Sequence, residues 1–517
     1  MRLNESSIKW AINHLIKFSD TDLFPRPIEL QIIYDLKDEA VSELSKLDLS
    51  SYSPGVSRKY IVPKGELSYR AATQLSPLDS ILFTSIIYQY GSIIESKRIP
   101  KSERKVFSYR FWPDKFHRLY DASYSWKIFW HSCLGISKSY SYVIILDIAD
   151  FYNQIYHHTI ENELDNIKFS SACTKYIMSL LKSITANVSR GIPIGPYPAH
   201  LIAEVAMKLL DSSLTARGFK YCRYCDDIVI FANSELEARI IHNIVADILD
   251  KQQKLILQNN KTKILSVNKF IDHCKEMVED NPINIEEKEI LDAIRKYSND
   301  NPYQTIGLES LPPKIIRMLE SSTIEKIFEL YFKQDEPDYI RLRWFLRRLA
   351  QVGHPCAIEY CVNNIIKLIP ALSVVCHYFI SVSNGKNIKW KPLGLQLVDL
   401  LDNDLIKSNE YFQLSICSLF NNIIKLDNVG KLLNRYSNST STIKREIILT
   451  AYRNKEAGWL SGLKGEYQTM DPWCKTAFII ACKVLPKKER CFFMEKTVEK
   501  FDSCNTYIKL LSSWVKK

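Results

Sequence analysis

No stretch of the 517 residues is both long and apolar enough to cross a bilayer. The best candidate, residues 368–382, is broken by Pro370, Ser373 and His377 and falls short of the roughly 20 apolar residues that a spanning helix needs. The start, Met1-Arg2-Leu3-Asn4-Glu5-Ser6-Ser7, is polar and has no signal-peptide pattern. Paired cysteine spacing is also missing: of thirteen cysteines only Cys222 and Cys225 form a C-x-x-C. Without a secretion signal they read as reduced, mostly buried thiols. A structural zinc needs four ligands, and neither a second C-x-x-C nor an H-x₃-H accompanies the first. A cytoplasmic protein without membrane contact is expected. Hydrophobic content of 46% with 25% charged residues excludes a disordered chain.

What the chain has in excess is positive charge, a net +11 that is unevenly spread. Between Ser51 and Tyr120 twelve Lys/Arg face five acids, an excess of +7, interleaved with Tyr60, Tyr69, Tyr109, Phe111 and Trp112. Basic residues mixed with aromatics suit a phosphate backbone and stacked bases; a solvated basic surface is the other reading.

From Tyr142 to Lys263 the elements can be read in order. Tyr142-Val143-Ile144-Ile145-Leu146 is a β-rich apolar run of buried-strand length. A helical region follows, broken at Arg190-Gly191-Ile192-Pro193-Ile194-Gly195-Pro196 and resuming with Leu201, Ile202, Val205, Leu209 and Leu210 at helical spacing. Residues 220–231 read as two short strands around Cys225-Asp226. Ser234-Glu235-Leu236-Glu237 is a capping box opening a helix with the apolar face Leu236, Ile240, Ile241, Ile244, Val245, Ile248 and Leu249. Leu255-Ile256-Leu257 is expected to begin a last strand. Strand, helix, strand, strand, helix, strand is a split βαβ order, which many unrelated domains share. After about Asn281 the texture changes: polar stretches at Asn281-Pro282 and Asn299-Asp300, a break at Leu311-Pro312-Pro313, then some two hundred residues of short amphipathic helices without a fixed period. An irregular helical array is expected there. Its Arg341, Arg343, Arg347 and Arg348 grip phosphates or form a solvated face.

Asp147 ends the first strand, and Asp226-Asp227 occupy the turn of the hairpin. Adjacent central strands would bring Asp147 and Asp226 together, and such carboxylates repel unless cations lie between them, as with oxygen-ligated Mg²⁺. Two ions about 4 Å apart can activate a hydroxyl and stabilise a leaving pyrophosphate. An Asp-Asp pair alone is more often a polar turn; the pairing with Asp147 reverses that. Strand alternation sets residues three apart on opposite faces, which opposes shared ligation by Cys222 and Cys225.

Leu146-Asp147-Ile148-Ala149-Asp150-Phe151-Tyr152, Gly191-Ile192-Pro193-Ile194-Gly195-Pro196, Tyr224-Cys225-Asp226-Asp227 and Leu257-Gln258-Asn259-Asn260-Lys261-Thr262 resemble reverse-transcriptase blocks in the family's order. The resemblance spans roughly residues 55–270, with Pro63-Lys64-Gly65 and residues 69–75 similar to the family's fingers. Ser76-Pro77-Leu78-Asp79-Ser80, Phe107-Ser108-Tyr109-Arg110-Phe111, Ile155-Tyr156-His157-His158 and the helical C-terminal half narrow it to the bacterial abortive-infection and defence-associated reverse transcriptases. No endonuclease, RNase H or maturase segment is evident.

The resemblance implies an α+β fold: an N-terminal helical segment over 1–50, fingers and a split βαβ palm over 51–280, and an all-α HEAT-like repeat domain over 281–517 in place of a thumb. It implies catalysis by Asp147, Asp226 and Asp227, with two Mg²⁺ (Mn²⁺ as substitute) held by Asp147, Ile148 and Asp226. Lys64, Arg70, Tyr152, Gly191, Pro193 and Lys261 would bind a dNTP. There Tyr152 would be the aromatic that blocks a ribose 2′-OH, and Gly191, Pro193 and Gly195 would let backbone approach the nascent pair. Arg190, Arg110, Arg347 and Arg348 are candidate nucleic-acid contacts. His157 and His158 are expected to pack at a helix start. Many family members have Gln where this chain has Arg190, and Tyr197-Pro198 follow the second glycine closely, an altered template wall. The resemblance thus implies a defence polymerase, protein-primed and without a conventional template, forming homo-oligomers. A noncoding RNA template, or an idle palm carrying an RNA- or protein-binding helical half, are the alternatives.

Overall fold

The computed structural model describes residues 1–18, 23–278, 282–298, 305–385, 388–502 and 505–517. Asn281, Asn299 and Asp300, where the texture was expected to change, lie outside the described residues. The chain divides into two compact units. The first comprises Met1–Ser19, Ile33–Lys59 and Thr73–Asn281; the second comprises Asp20–Ile32, Tyr60–Ala72 and Pro282–Lys517.

Two short strands, β1 (Arg58–Pro63) and β2 (Tyr69–Gln74), pair with each other, and the turn between them closes through the Lys64 amide on the Ser68 carbonyl at 2.8 Å. Residues 60–72 of this hairpin cluster with the second unit.

The first unit is built on a four-stranded sheet of order β4-β5-β3-β6, with β3 (Tyr142–Leu146), β4 (Tyr221–Tyr224), β5 (Asp227–Ala232) and β6 (Lys263–Ser266). Strand β3 is central and antiparallel to both neighbours, Leu146 facing Ile228 and Ile145 facing Lys263. Side chains alternate faces along a strand, so Val143 and Ile145 share one face. There they meet Phe107, Phe129, Trp130, Cys222, Val229, Phe231 and Phe270 in one apolar core. The helices Trp126–Ser137 and Val267–Val278 pack together and supply Phe129, Trp130 and Phe270 to that core. The helix Glu235–Gln253 packs on β3 and β5.

Two expectations about this unit need correction. The last strand does not begin at Leu255-Ile256-Leu257: Leu257 makes a single bridge to Ile148, and the strand that joins the sheet is β6. The capping box holds, with Ser234 Oγ accepting from the Glu237 amide at 3.1 Å. However, Leu236 and Ile240 are exposed, and the buried face is Ala238, Ile241, Val245, Ile248 and Leu249.

In the second unit no described residue after Pro282 is in a strand. The helices Tyr339–Val352, Leu372–Ser381, Glu410–Asn422, Ser441–Arg453, Pro472–Ala481 and Thr506–Lys516 pack each against the next. Tyr378, Phe379, Phe412, Ile448 and Phe478 are buried within this array. Arg445 and Glu29, both buried, pair at 2.6 Å, and Thr476 donates to the same carboxylate at 2.8 Å. An α+β fold with a helical C-terminal region is the result. No helix of the described residues is long and apolar enough to cross a membrane, and no described cysteine forms a disulfide, all but Cys491 being buried.

Candidate active site

Strand β3 delivers Asp147 to the end of the sheet because its apolar run ends at Leu146. The adjacent β4–β5 hairpin turns through Cys225 and Asp226, with Tyr224 facing Asp227. A two-residue hairpin favours positive φ in the turn, and Cys225 has φ 59°. This left-handed conformation is uncommon for a residue with a Cβ. It is braced from below: Arg223 Nη1 donates to the Cys225 carbonyl at 2.9 Å.

Arg223 is fully buried in β4 and is the hub of an ionic network. It donates to Asp211 at 2.9 and 2.6 Å and to Glu204 at 3.2 and 2.8 Å. Arg98 reaches the same Glu204 at 2.7 Å and also holds the Ser108 carbonyl at 2.8 Å and the Tyr109 carbonyl at 2.9 Å. Burial raises the Glu204 carboxyl, but the charges of Arg223 and Arg98 outweigh it and hold the group below its ordinary value.

Asp147 and Asp226 come together where the sheet ends. Burial and then the charge of Asp147 push the Asp226 carboxyl above its ordinary value. Lys261 Nζ lies 3.0 Å from Asp147 Oδ2; this ion pair raises the ammonium's proton affinity against the opposing effect of burial. The Ile148–Leu257 bridge is flanked by bonds that use the Asp147 carbonyl and the Ala149 amide, which leaves the Ile148 carbonyl out of the pairing. Two crowded carboxylates plus a carbonyl are an all-oxygen donor set, which fits Mg²⁺, an ion that keeps several waters and takes few protein ligands. Among the described residues no group of three or more His, Cys, Asp or Glu converges to hold an ion, so a cage built from protein alone is not present there. The cysteines separate: Cys222 is buried in the apolar core, whereas Cys225 Sγ lies 3.6 Å from the Tyr152 hydroxyl.

Tyr152 is held at its hydroxyl, 2.6 Å from His200 Nδ1. His200 is in turn stacked face to face on Tyr109, with centroids 4.0 Å apart and planes 2° from parallel. Burial lowers the His200 pKa to about 4, so the ring is neutral near pH 7 and accepts a hydrogen bond from the tyrosine hydroxyl when its Nδ1 lone pair is free. The Gly191 loop is tied to the same segment: the Ile192 amide bonds the Tyr152 carbonyl at 2.8 Å and the Gly191 amide bonds the Ile155 carbonyl at 2.8 Å. Gly191 has φ 105° and Gly195 φ 131°, where side chains are strained. Pro193 is buried between them. His157 begins its helix and also bonds the Gly191 carbonyl at 2.8 Å through Nε2, whereas His158 is exposed.

The other candidate residues fall elsewhere. Lys64 and Arg70 belong to the second unit. Arg190 is exposed and donates to Gln154 at 3.1 Å, and Arg347 is exposed on its helix. Arg110 and Arg348 must be corrected as nucleic-acid contacts. Arg110 is 2% exposed, paired with Glu95 at 2.7 Å and bonded to the Ile99 carbonyl at 2.9 Å. Arg348 is buried, bonds Gln351 at 3.0 Å and stacks on Trp344. Arg341, likewise, pairs with Glu287 at 2.6 Å. His200, Glu204, Asp211 and Arg223 were missed, and Tyr109 was read only as one of the aromatics among the basic residues. His200 had a faint signal, lying three residues beyond Tyr197 on one helix face; Arg223, between Cys222 and Tyr224, had none.

Residues 96–309 match the family model described as reverse transcriptase (RNA-dependent DNA polymerase). Retron Ec73 reverse transcriptase of Escherichia coli is 25% identical over 159 residues, 28% of this chain and 50% of that protein. The chain therefore spans about half the length of this curated relative. Among solved structures, telomerase from Candida albicans in complex with a TWJ fragment of telomeric RNA is similar at TM-score 0.31 and 11% identity, over 75% of this chain and 71% of that one. Apo telomerase from Candida tropicalis gives TM-score 0.29 and 10% identity over 74% of each chain.

Proposed function

We propose that the chain is a DNA polymerase of the reverse-transcriptase type, acting in bacterial antiphage defence by nucleotidyl transfer from dNTPs. The observation that carries this is the convergence of Asp147 and Asp226 where the sheet ends, the charge of Asp147 acting on the buried Asp226 carboxyl, inside the region that matches the reverse-transcriptase model. Asp147, Asp226 and the Ile148 carbonyl would hold two Mg²⁺, with Asp227 supporting the hairpin. When bound, the metal supplies charge neutralisation and activation of the attacking hydroxyl. The chain's own residues bind and orient. The Tyr152 ring stands against a ribose 2′-OH, the Gly191–Pro193 loop lets backbone approach the nascent pair, and the Lys261 ammonium offsets negative charge beside Asp147. Lys64 and Arg70 keep the role of triphosphate ligands that the sequence resemblance implies, through charge-assisted bonds.

In this reading the 51–280 region comprises fingers and palm, and the stacked helices of the second unit are a HEAT-like array in place of a thumb. Synthesis is protein-primed, a tyrosine hydroxyl replacing the 3′-OH as nucleophile, and proceeds without a conventional template in a cytoplasmic homo-oligomer. A second reading is favoured by the similarity to a retron reverse transcriptase: copying of a dedicated noncoding RNA. An idle scaffold is disfavoured because the carboxylates and Lys261 are intact.

The test incubates purified protein with labelled single dNTPs, Mg²⁺ and no added nucleic acid. A nuclease-sensitive labelled protein band, absent in Asp226→Ala, supports self-primed synthesis. Label that appears only with added RNA and an oligonucleotide primer supports the second reading, and no incorporation under either condition refutes both.

A further inference from the structure

The second unit contains a cluster of arginines that its own acids do not neutralise. A cavity of about 30 Å³ is lined by Arg70, Arg343 and Arg347 together with Ser373, Pro370 and Tyr411, among others. None of the three arginines has a carboxylate within salt-bridge distance among the described residues, whereas their helix neighbour Arg341 does. Arg70 leaves its buried Nε without a partner. Arg347 makes no hydrogen bond to any described side chain. Arg343 is anchored, donating from Nη2 to the Lys64 carbonyl at 2.8 Å, from Nε to the Tyr339 carbonyl at 3.1 Å and from Nη1 to the Pro370 carbonyl at 3.5 Å. A guanidinium has five N–H donors, so two remain.

Like charges gathered in a partly desolvated place are costly unless an anion compensates them. The strain is visible at Arg343, whose affinity for its proton is lowered by burial and by the charges of Arg70 and Arg347. The cavity holds the volume of one or two waters, enough for one or two oxygens of a phosphoryl group and too little for a sugar or a base. Planar forks of N–H donors match phosphate oxygens.

We propose that Arg70, Arg343 and Arg347 form a phosphoryl-binding site, in which the helical region supplies two of the three ligands. The inference shares Arg70 with the polymerase reading and otherwise stands apart from it. Arg343 is the fixed ligand, oriented through the Lys64 carbonyl, and Arg347 is the movable one. The phosphoryl group comes from a nucleoside triphosphate or from a nucleic-acid backbone.

The test titrates the full-length protein with inorganic triphosphate, with a dNTP, and with a single-stranded oligonucleotide lacking terminal phosphates, read by calorimetry. Saturable binding of at least one probe is expected, weakened at least tenfold in Arg347→Gln and in Arg343→Gln, since each loses charge-assisted bonds. Arg347→Gln keeps the test sound, because this exposed side chain has no ion-pair or side-chain hydrogen-bond partner among the described residues. Its unliganded melting temperature should be equal to or above that of the parent, whereas a structural arginine would lower it. Binding by the triphosphates alone assigns the site to nucleotide; binding by the oligonucleotide assigns it to backbone. Inorganic triphosphate should bind Asp226→Asn as it binds the parent, so loss of polymerisation and loss of this site are separable. Parent-like affinity in both arginine variants, or no saturable binding of any probe, overturns the proposal.

Discussion

Arg223→Met should loosen the carboxylate hairpin far more than a surface arginine substitution would. The methionine keeps the length of the buried stem but removes the bonds to Asp211, Glu204 and the Cys225 carbonyl. Glu204 retains Arg98 at 2.7 Å, whereas buried Asp211 is left with the Tyr221 hydroxyl at 3.2 Å. Removing one partner of a buried ion pair costs about 3–5 kcal/mol, because the other charge is left uncompensated. At about 1.4 kcal/mol per decade, amide hydrogens over residues 221–232 should exchange roughly 10² to 4 × 10³ times faster, measured by hydrogen-exchange mass spectrometry. Arg223→Met/Asp211→Leu removes the stranded charge and should recover at least half of that protection. Exchange within about fivefold of the parent, equivalent to about 1 kcal/mol, would show that the network does not brace the hairpin.

Three further outcomes follow from the site. Glu204 is held below its ordinary value, so its contribution to stability is complete above the unfolded glutamate value of about 4.3 and lost as pH falls through the depressed one. Urea midpoints should therefore fall below about pH 4, with a shallower fall in Glu204→Gln. His200→Ala frees the Tyr152 hydroxyl and removes the ring stacked on Tyr109; ribonucleotide incorporation relative to deoxyribonucleotide should rise about tenfold, and an unchanged ratio would show that His200 does not position the Tyr152 ring against the ribose 2′-OH. Cys222→Ser places a hydroxyl in the apolar core at a cost of about 1–3 kcal/mol, measured by urea unfolding, yet the folded fraction should polymerise normally.

The local parts of the fold were legible in the sequence. The apolar run at Tyr142–Leu146 reads as a strand that stops at a carboxylate, the turn at Cys225-Asp226 lies between two short strands, and Ser234 caps its helix. What could not be read depends on partners distant in sequence. Arg110 and Arg348 look like surface cations until Glu95 and Gln351 fold against them. Arg223 interrupts a strand in a way that suggests a solvent-facing residue, because Glu204 and Asp211, which neutralise it, lie on a preceding helix. Leu236 and Ile240 fit a helical period and yet stay exposed, since periodicity does not say how much of an apolar face a sheet can cover. Leu255–Leu257 has strand composition, but its single bridge to Ile148 precedes the true edge strand. The Tyr109–His200–Tyr152 arrangement joins three separate segments and leaves no pattern in any one of them.

The central claim is that Asp147 and Asp226 act together as the metal-binding carboxylates of a polymerase site. Its most direct measurement is the initial rate of dNTP incorporation with Mg²⁺, with and without an RNA template and primer, for the parent, Asp147→Asn and Asp226→Asn. The account predicts incorporation by the parent in at least one condition and a loss of about 10³-fold or more in each variant, as expected when transition-state charge loses its stabilisation, with circular dichroism unchanged. Parent-like incorporation in either folded variant would contradict it.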